Sequence, residues 1–298
     1  MRKIFTFFIC IVSLVTCACS KDENTSGNDA TKLKVATFNI RYATSEDTGV
    51  RSWDSRKQAC KSVIERYAFD VFGLQEVLAV QQEDLRDMLP DYTFKFVGRN
   101  DGNSGEAVGI AWRTSVLKCV ESGYFWLSPT PDVPSGSKDW GGVDRHRVAA
   151  WARFREIASG KEFVFIVTHL EVGEENASVR LKSAELIISR ETAVNAAGLP
   201  SFVVGDMNPI APTESSMRKF REVFTDAWMA AEDAGVREGP IGSFNGFSPN
   251  ANLESQSKRG DYIFYKGNVS LGKYKCIDDK FNGQYPSDHV PVMVQVEI

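Results

Sequence analysis

Polar residues close apolar runs at several points of this 298-residue chain. Ser287-Asp288-His289 leads straight into Val290-Pro291-Val292-Met293-Val294. Thr168-His169-Leu170-Glu171 ends the unbroken apolar run Phe163 to Val167, and Gly205-Asp206-Met207-Asn208 follows Phe202-Val203-Val204. Two further runs finish the same way: Val35-Ala36-Thr37-Phe38 reaches Asn39, and Val71-Phe72-Gly73-Leu74 reaches Gln75-Glu76. Carboxylates, carboxamides and imidazoles at the ends of several apolar strands predict one shared rim of a sheet. Those are the groups that hold a hard divalent cation and act on a phosphate ester. Singly, each fragment is ordinary. Asp-His before a strand and Gly-Asp-x-Asn are turn chemistry, Asn39 suits a loop hydrogen bond, and Glu76 suits the cap of a following helix. Their coincidence points to chemistry.

Phosphate esters resist water because their oxygens repel a nucleophile and their alkoxide leaves poorly. A site needs positive charge on the phosphoryl oxygens, a group to take a proton from water, and help for the leaving group. In this light the chain resembles the endonuclease/exonuclease/phosphatase (DNase I-like) superfamily of metal-dependent phosphoesterases. The resemblance rests on Phe38-Asn39-Ile40-Arg41-Tyr42, Leu74-Gln75-Glu76, Thr168-His169-Leu170, Gly205-Asp206-Met207-Asn208, Gly260-Asp261-Tyr262-Ile263-Phe264 and Ser287-Asp288-His289, in family order. Phe125-Trp126-Leu127-Ser128, Thr130-Pro131-Asp132-Val133-Pro134 and Ser243-Phe244-Asn245-Gly246-Phe247 look like a lipoprotein branch common in gut Bacteroidetes. Glu171 stands where family members often carry Asp, and Arg145-His146-Arg147 replaces a Pro-Arg pairing of that branch.

The resemblance implies a division of labour. Glu76, Asn39 and Asp288 would hold Mg²⁺, with Mn²⁺ as the substitute that oxygen donors allow. His289 would be the general base, oriented by Asp261. Asp206 and Asn208 would position water and the scissile phosphate, and His169 would stabilise the pentavalent oxygens or the leaving group. Arg41, Arg145 and Arg147 suit non-bridging phosphate oxygens, and Phe244 and Asn245 a base or sugar. His146 reads as a surface residue. The substrate class stays open among nucleic acid, sugar or inositol phosphate, and phospholipid head group. The competing reading is a catalytically silent surface lipoprotein that binds glycan or nucleotide; it predicts the loss of a chemical residue, and none is missing.

These residues need a scaffold of strands ending on one edge. Leu33–Asn39, Asp70–Leu74, Tyr92–Val97, Ala107–Trp112, Val116–Phe125, Val148–Arg155, Glu162–Thr168, Phe202–Val204, Tyr262–Tyr265, Tyr274–Ile277 and Val290–Val296 read as strands. Helical spacing covers Asp54–Tyr67, which Asp54 would cap, Val80–Leu89, and Glu174–Ala197. Ser128–Arg147 is rich in Pro, Gly, Ser and Asp, and its length marks a functional loop. No linker divides residues 32–298, so one α/β domain is expected. By resemblance it is a four-layer α/β sandwich: two mixed β-sheets packed face to face, with outer helices. Tyr124-Phe125-Trp126-Leu127 reads as core strand rather than a membrane-binding hairpin.

The amino terminus is read apart from the fold. Arg2-Lys3 followed by Ile4 to Val15 has the form of a secretory signal, too short to span as a mature helix. Residues 1–18 are therefore expected to be a lipoprotein signal peptide, with Cys19 lipidated, and 19–31 a flexible tether. This predicts a cell-envelope protein, an outer-membrane lipoprotein facing the surface or the periplasm and touching the membrane through its lipid. A monomer is expected. The formal charge of -4 falls to about -6 once Arg2 and Lys3 are removed. An acidic balance without a Lys/Arg-rich run weighs against a dedicated nucleic-acid partner and leaves a phosphate-ester substrate. Cys60, Cys119 and Cys276 lack ligand spacing, so buried free thiols and no zinc are expected.

Overall fold

The computed structural model describes residues 30–298. The expected signal peptide, Cys19 and nearly all of the expected tether lie outside the described residues. In chain order the elements are β1 (Lys32–Asn39), α1 (Trp53–Tyr67), β2 (Val71–Val77), α2 (Ala79–Met88), β3 (Tyr92–Gly98), β4 (Ala107–Arg113) and β5 (Leu117–Trp126). After the Ser128–Arg147 loop come β6 (Val148–Glu156), β7 (Glu162–His169), α3 (Ala177–Val194) and β8 (Ser201–Asp206). The chain closes with α4 (Ser215–Arg221), β9 (Thr225–Asp226), α5 (Ala227–Asp233), β10 (Arg237–Glu238), β11 (Asp261–Lys266), β12 (Ser270–Cys276) and β13 (Val292–Glu297).

The strands form a seven-stranded sheet in the order β10-β12-β13-β1-β2-β4-β3 and a six-stranded sheet in the order β5-β6-β7-β8-β11-β9. Each sheet has a parallel pair near its middle, β1 with β2 and β7 with β8, among mostly antiparallel neighbours. Because each pair is parallel, Asn39 lies beside Gln75 and His169 beside Asp206 at the same end. β11 runs antiparallel to β8, so its first residue, Asp261, pairs with Asp206.

Period-two side-chain direction builds the layers. In β7, Phe163, Phe165 and Val167 face the core between the sheets, while Val164 and Ile166 face the outer helices. Hence the run is apolar throughout: both faces are covered. On the first sheet Val35 and Val71 face inward; Ala36, Phe38, Phe72 and Leu74 pack under Cys60, Val63 and Ile64 of α1 and Leu85 of α2. Ala184 and Ile187 of α3 and Phe220 of α4 cover the second sheet in the same way. Each fully buried Val, Leu, Ile or Phe among these contributes about 1.5–3 kcal/mol relative to exposure. The outcome is the expected four-layer sandwich.

At Gly73 the sheets approach closely, since a Cβ there would lie 2.6 Å from Val167 Cγ2 and 2.8 Å from Val204 Cγ2. Gly205 matters more locally. Its φ is +149°, and a Cβ would meet the Thr168 carbonyl oxygen at 2.0 Å, so only glycine lets β8 lie against β7 just before Asp206.

Several expectations shift. Asp54 falls inside the first turn of α1 rather than capping it, the cap position being Ser52. The helix expected from Glu174 begins as a 3₁₀ turn, Glu174–Asn176, because Asn176 Nδ2 donates back to the Val172 carbonyl at 2.7 Å. It stops at Val194, where Asn195 bonds Leu199 through both ends of its amide, donating to its carbonyl and accepting from its N–H. The helices α4 and α5, seven residues each, lack the turns that make a periodic pattern readable. Cys60, Cys119 and Cys276 are free, and Cys119 is half-buried rather than buried because it lies on edge strand β5.

Candidate active site

The strand ends meet in a cleft of about 540 Å³ whose lining includes Arg41, Glu76, His169, Asp206, Asn208, Asp288 and His289. The first sheet supplies Asn39 and Glu76. The β2–β4 register slips between Leu74 and Val77, and Glu76 adopts φ +64°. This bulge re-aims the strand end, at a conformational cost on the order of 1–3 kcal/mol. Gln75 consequently turns away from the cleft, and its buried amide exchanges hydrogen bonds with Thr37 Oγ1 at 3.3 and 3.0 Å. Glu76 does not cap α2; Gln81 does that work, accepting the Leu78 N–H at 3.0 Å. Glu76 instead accepts from Asn39 Nδ2 at 3.0 Å and from the Tyr42 N–H at 3.1 Å.

Asn39 is fully buried, and its Nδ2 also donates to Asp206 Oδ2 at 3.1 Å, while its Oδ1 accepts the Arg41 N–H at 3.0 Å. Toward the cleft Asn39 thus presents a donor that ties two carboxylates together, not the oxygen expected of a cation ligand. The second sheet supplies His169 and Asp206, with His169 Nε2 at 3.6 Å from Asp206 Oδ2. Asp206 Oδ1 accepts the Asn208 N–H at 3.1 Å, and Asn208 Nδ2 donates to the Leu170 carbonyl at 3.0 Å.

His289 enters from the segment before β13. Ser287 Oγ fixes that segment to β1 by donating to the Asn39 carbonyl at 2.8 Å. His289 Nδ1 donates to Asp261 Oδ2 at 2.7 Å, leaving Nε2 at 3.7 Å from Asp206 Oδ2. Ser243 Oγ steadies Asp261 by accepting the N–H groups of Gly260 and Asp261 at 3.2 and 3.0 Å. Asn245 is buried. It donates to the Ser287 carbonyl at 3.0 Å and accepts the Phe247 N–H at 2.7 Å, so it shapes this segment instead of meeting a base or sugar. Phe244 does reach the cleft, 38% exposed, with its ring edge-on to His289 at 5.1 Å.

The electrostatics follow from burial and neighbours. Burial pulls His289 down, but the carboxylates of Asp261, Asp206 and Asp288 outweigh it and hold the imidazole well above its ordinary value. His169 lies well below it, through burial and then Arg147, His289, Arg99 and Arg145, so it is neutral and donates through one N–H. Burial pushes Asp206 up to about 6, with Asp261 and Glu76 adding to the rise against His289 and Asn39. Burial likewise raises Asp288, Glu76 adds to it, and His289 and Arg41 oppose without cancelling.

Ligand atoms of Asp206, Asp261 and His289 lie within 4.8 Å of one another, close enough to hold a metal ion. The short His289–Asp261 bond already uses one atom of each, which makes a proton relay the better account of that trio. Glu76 and Asp288 both line the cleft, and while burial is the main reason Asp288 is raised, the Glu76 charge adds to the rise. Such mutual repulsion between oxygen donors fits a hard divalent cation.

Cations flank this floor. Arg41 bonds Asp47 at 3.0 Å, Arg145 bonds Glu171 at 2.6 Å, and Arg147 lies 3.5 Å from the same Glu171 with its Nε buried and unpartnered. His146 does not line the cleft; its ring meets the Asn100 carbonyl at 3.0 Å. Pattern reading missed Arg99, Glu106 and Lys258, all in the lining, with Arg99 and Glu106 paired at 2.7 Å. Arg99 directly follows β3, and a charged residue at a strand end was the available signal.

Comparison with known proteins agrees with this geometry. The model of the Endonuclease/Exonuclease/phosphatase family matches residues 36–289. An endonuclease/exonuclease/phosphatase family protein from Bacteroides thetaiotaomicron is similar at 32% identity, over 90% of this chain and 98% of that one, with a TM-score of 0.80. A mannosyl-6-phosphatase from the same organism is 33% identical over 89% of this chain and 99% of its own, with a TM-score of 0.78. An uncharacterized protein of Acanthamoeba polyphaga mimivirus is 23% identical over 174 residues; the match spans 49% of this chain and only 25% of that relative.

Proposed function

The chain belongs to the endonuclease/exonuclease/phosphatase family, and from that premise we propose a Mg²⁺-dependent phosphoesterase acting on a phosphomonoester of a small polyhydroxylated alcohol. The observation that carries the reading is His289, held by Asp261 at 2.7 Å and facing Asp206 at 3.7 Å. A single imidazole between two buried carboxylates is a device for holding and moving a proton.

Roles follow from charge state. His289 was expected to be the base, yet its neighbours keep it protonated, so it acts as a donor toward phosphoryl oxygens. Asp206, pushed up to about 6, is the better acceptor for the proton of the attacking water. Asn208 holds the second oxygen of Asp206, and Asn39 keeps that carboxylate in register with Glu76. Neutral His169 donates its N–H to the phosphate or the leaving oxygen. Glu76 and Asp288 would hold Mg²⁺, or Mn²⁺ in its place, whose charge offsets that of the phosphoryl oxygens. Arg41, Arg145 and Arg147 screen the remaining phosphate charge.

Three observations favour a small monoester over a polynucleotide: the near-full-length similarity to a mannosyl-6-phosphatase, the acidic balance of the chain, and a cleft of small-molecule size, about 540 Å³. The test is phosphate release by the mature protein from sugar phosphates, nucleotides, DNA and RNA, with Mg²⁺ and with excess chelator. Release from hexose phosphates that stops with chelator and returns with Mg²⁺ is expected. Turnover unchanged in chelator would overturn the metal assignment, and preferential cleavage of polynucleotide the substrate assignment.

By the same proposal, lipidation at Cys19 holds the enzyme in the cell envelope, because two or more acyl chains anchor stably. Among the described residues no helix is long and apolar enough to cross a membrane. Cys19→Ala should move the protein from the membrane fraction to the soluble one. Retention at wild-type levels would remove Cys19 as the anchor.

A further inference from the structure

Two aliphatic side chains of the cleft lining stand out because each is left half exposed. Val172 and Ile210 are each 48% exposed, in a cleft otherwise dominated by charge. They come from different loops, one after β7 and one after β8, yet a single buried guanidinium governs both. Arg180, on α3, is fully buried. Its Nη1 donates to the Glu171 carbonyl at 2.8 Å and the Gly173 carbonyl at 2.7 Å, the residues on either side of Val172. Its other edge forks onto Glu214, Nε to Oε1 at 2.8 Å and Nη2 to Oε2 at 2.7 Å. Glu214 Oε2 in turn accepts the Ile210 N–H at 3.1 Å, and Glu214 Oε1 accepts Ser216 Oγ at 2.6 Å.

A buried ion pair is costly to desolvate and is a poor route to stability alone. Here four of the five guanidinium N–H donors are used, all on backbone carbonyls or a carboxylate at the base of two loops. The bidentate geometry restricts direction as well as distance, so Val172 and Ile210 are presented from a braced backbone. A rigid aliphatic wall in a polar cleft suits a ligand with an apolar face, since the wall is already ordered before binding.

We propose that Val172 and Ile210, braced by Arg180 and Glu214, select the alcohol half of the substrate by packing against the C–H face of a sugar ring. The inference rests on the phosphoesterase reading and names the part of its site that recognises the leaving group. The wall does not discriminate the phosphate, which the proposed reaction assigns to His169, Asp206 and His289. It discriminates a ring from a short open polyol. Arg180 acts through the two loops and is a positioning residue.

The experiment compares mannose 6-phosphate, glucose 6-phosphate, adenosine 5′-monophosphate and glycerol 1-phosphate with the full protein and with Val172→Ser, Ile210→Ser and Arg180→Lys. Loss of aliphatic contact typically changes discrimination by about tenfold or more. For Val172→Ser and Ile210→Ser the kcat/KM ratio of hexose phosphate to glycerol phosphate should fall about tenfold, mainly through KM. Arg180→Lys keeps the charge but loses the fork, and should raise KM for hexose phosphate more than it lowers kcat. An unchanged ratio in both serine variants, or a ratio that falls only for the nucleotide, would overturn the sugar wall. A lower melting temperature of Arg180→Lys with KM unaltered would return Arg180 to a purely structural role. Calorimetric binding of mannose 6-phosphate separates the two readings. Binding that the serine variants weaken, in a protein that turns over nothing, sinks the reaction and keeps the wall. Turnover with binding indifferent to both variants sinks the wall and keeps the reaction.

Discussion

The two sheets put the same backbone device to different chemical use. Each carries a central parallel pair whose carboxyl ends reach the cleft, β1 with β2 in one and β7 with β8 in the other. The first pair ends in Asn39 and Glu76, and the neighbouring Asp288 belongs to the segment leading back into that sheet. The second ends in His169 and Asp206, beside Asp261 of β11. One half gathers half-buried carboxylates; the other, joined by His289 from the segment before β13, buries its titratable groups and sets their proton affinities through one another. The contrast shows that a parallel pair fixes where side chains converge and leaves their burial to set the chemistry. Asn39 is the link between halves, donating to Glu76 at 3.0 Å and to Asp206 at 3.1 Å.

Removing the charge-gathering half should have the largest effect. Glu76→Gln should lower turnover by about three orders of magnitude, the scale of losing a main electrostatic stabiliser, with high Mg²⁺ restoring part of it. Full activity in this variant at ordinary Mg²⁺ would erase the distinction between the halves. Changes in the proton-handling half should come next. His289→Ala and Asp261→Asn should each cost about 10²-fold, the lower end for a proton-transferring group, and the double variant little more than His289→Ala alone, because the pair acts as a unit. A double loss equal to the product of the single losses would separate them.

Cutting the link should cost less. Asn39→Ala removes two hydrogen bonds to charged groups, each worth about 1.5–3 kcal/mol, and should reduce kcat while moving its pH profile. In the wild type kcat/KM should fall as pH drops through about 6, where Asp206 takes up a proton and stops accepting one from water. On stability this group has the opposite sign. Its folded value lies above the ordinary one, so its contribution is full below about 3.9 and is lost as pH rises through about 6. Urea titrations between pH 4 and 8 read that trend directly. The smallest effect compares the sheets by their thiols. Burial pushes Cys60 up to about 11 and raises Cys276 as well, so a thiol reagent at neutral pH should modify Cys119 on its edge strand and leave the other two. Rapid labelling of Cys60 would mean that α1 does not seal the first sheet.

Much of this arrangement was legible because strand burial leaves a local trace. Phe163 to Val167 and Phe202 to Val204 are apolar at every position, and the polar residues that stop them are the ones the cleft collects. Gln75 and Glu76 show the limit of that logic. Alternation alone cannot say which of two adjacent polar residues faces the cleft when a bulge intervenes, and here the bulge favours Glu76. Asn245 looked free to meet a ligand because its partner, Ser287, is remote in sequence. Arg180 was hidden for the same reason: within α3 it reads as one more polar position, and only its distant partner Glu214 explains its full burial. Charge state was least legible of all, since the proton on His289 depends on carboxylates from three separate segments.

The close approach at Gly73 has a consequence beyond packing. The two halves of the cleft are borne on different sheets, so their separation follows the spacing of the sandwich, which at Gly73 leaves no room for a Cβ. A methyl group there would act as a shim, spreading Val167 and Val204 away from β2 and moving His169 and Asp206 as a block away from Glu76. Gly73→Ala should therefore detune the reaction from the interior, with no cleft residue altered and the secondary structure intact. Tuning of activity in this molecule can thus be sought in the filling between its sheets as well as at its mouth.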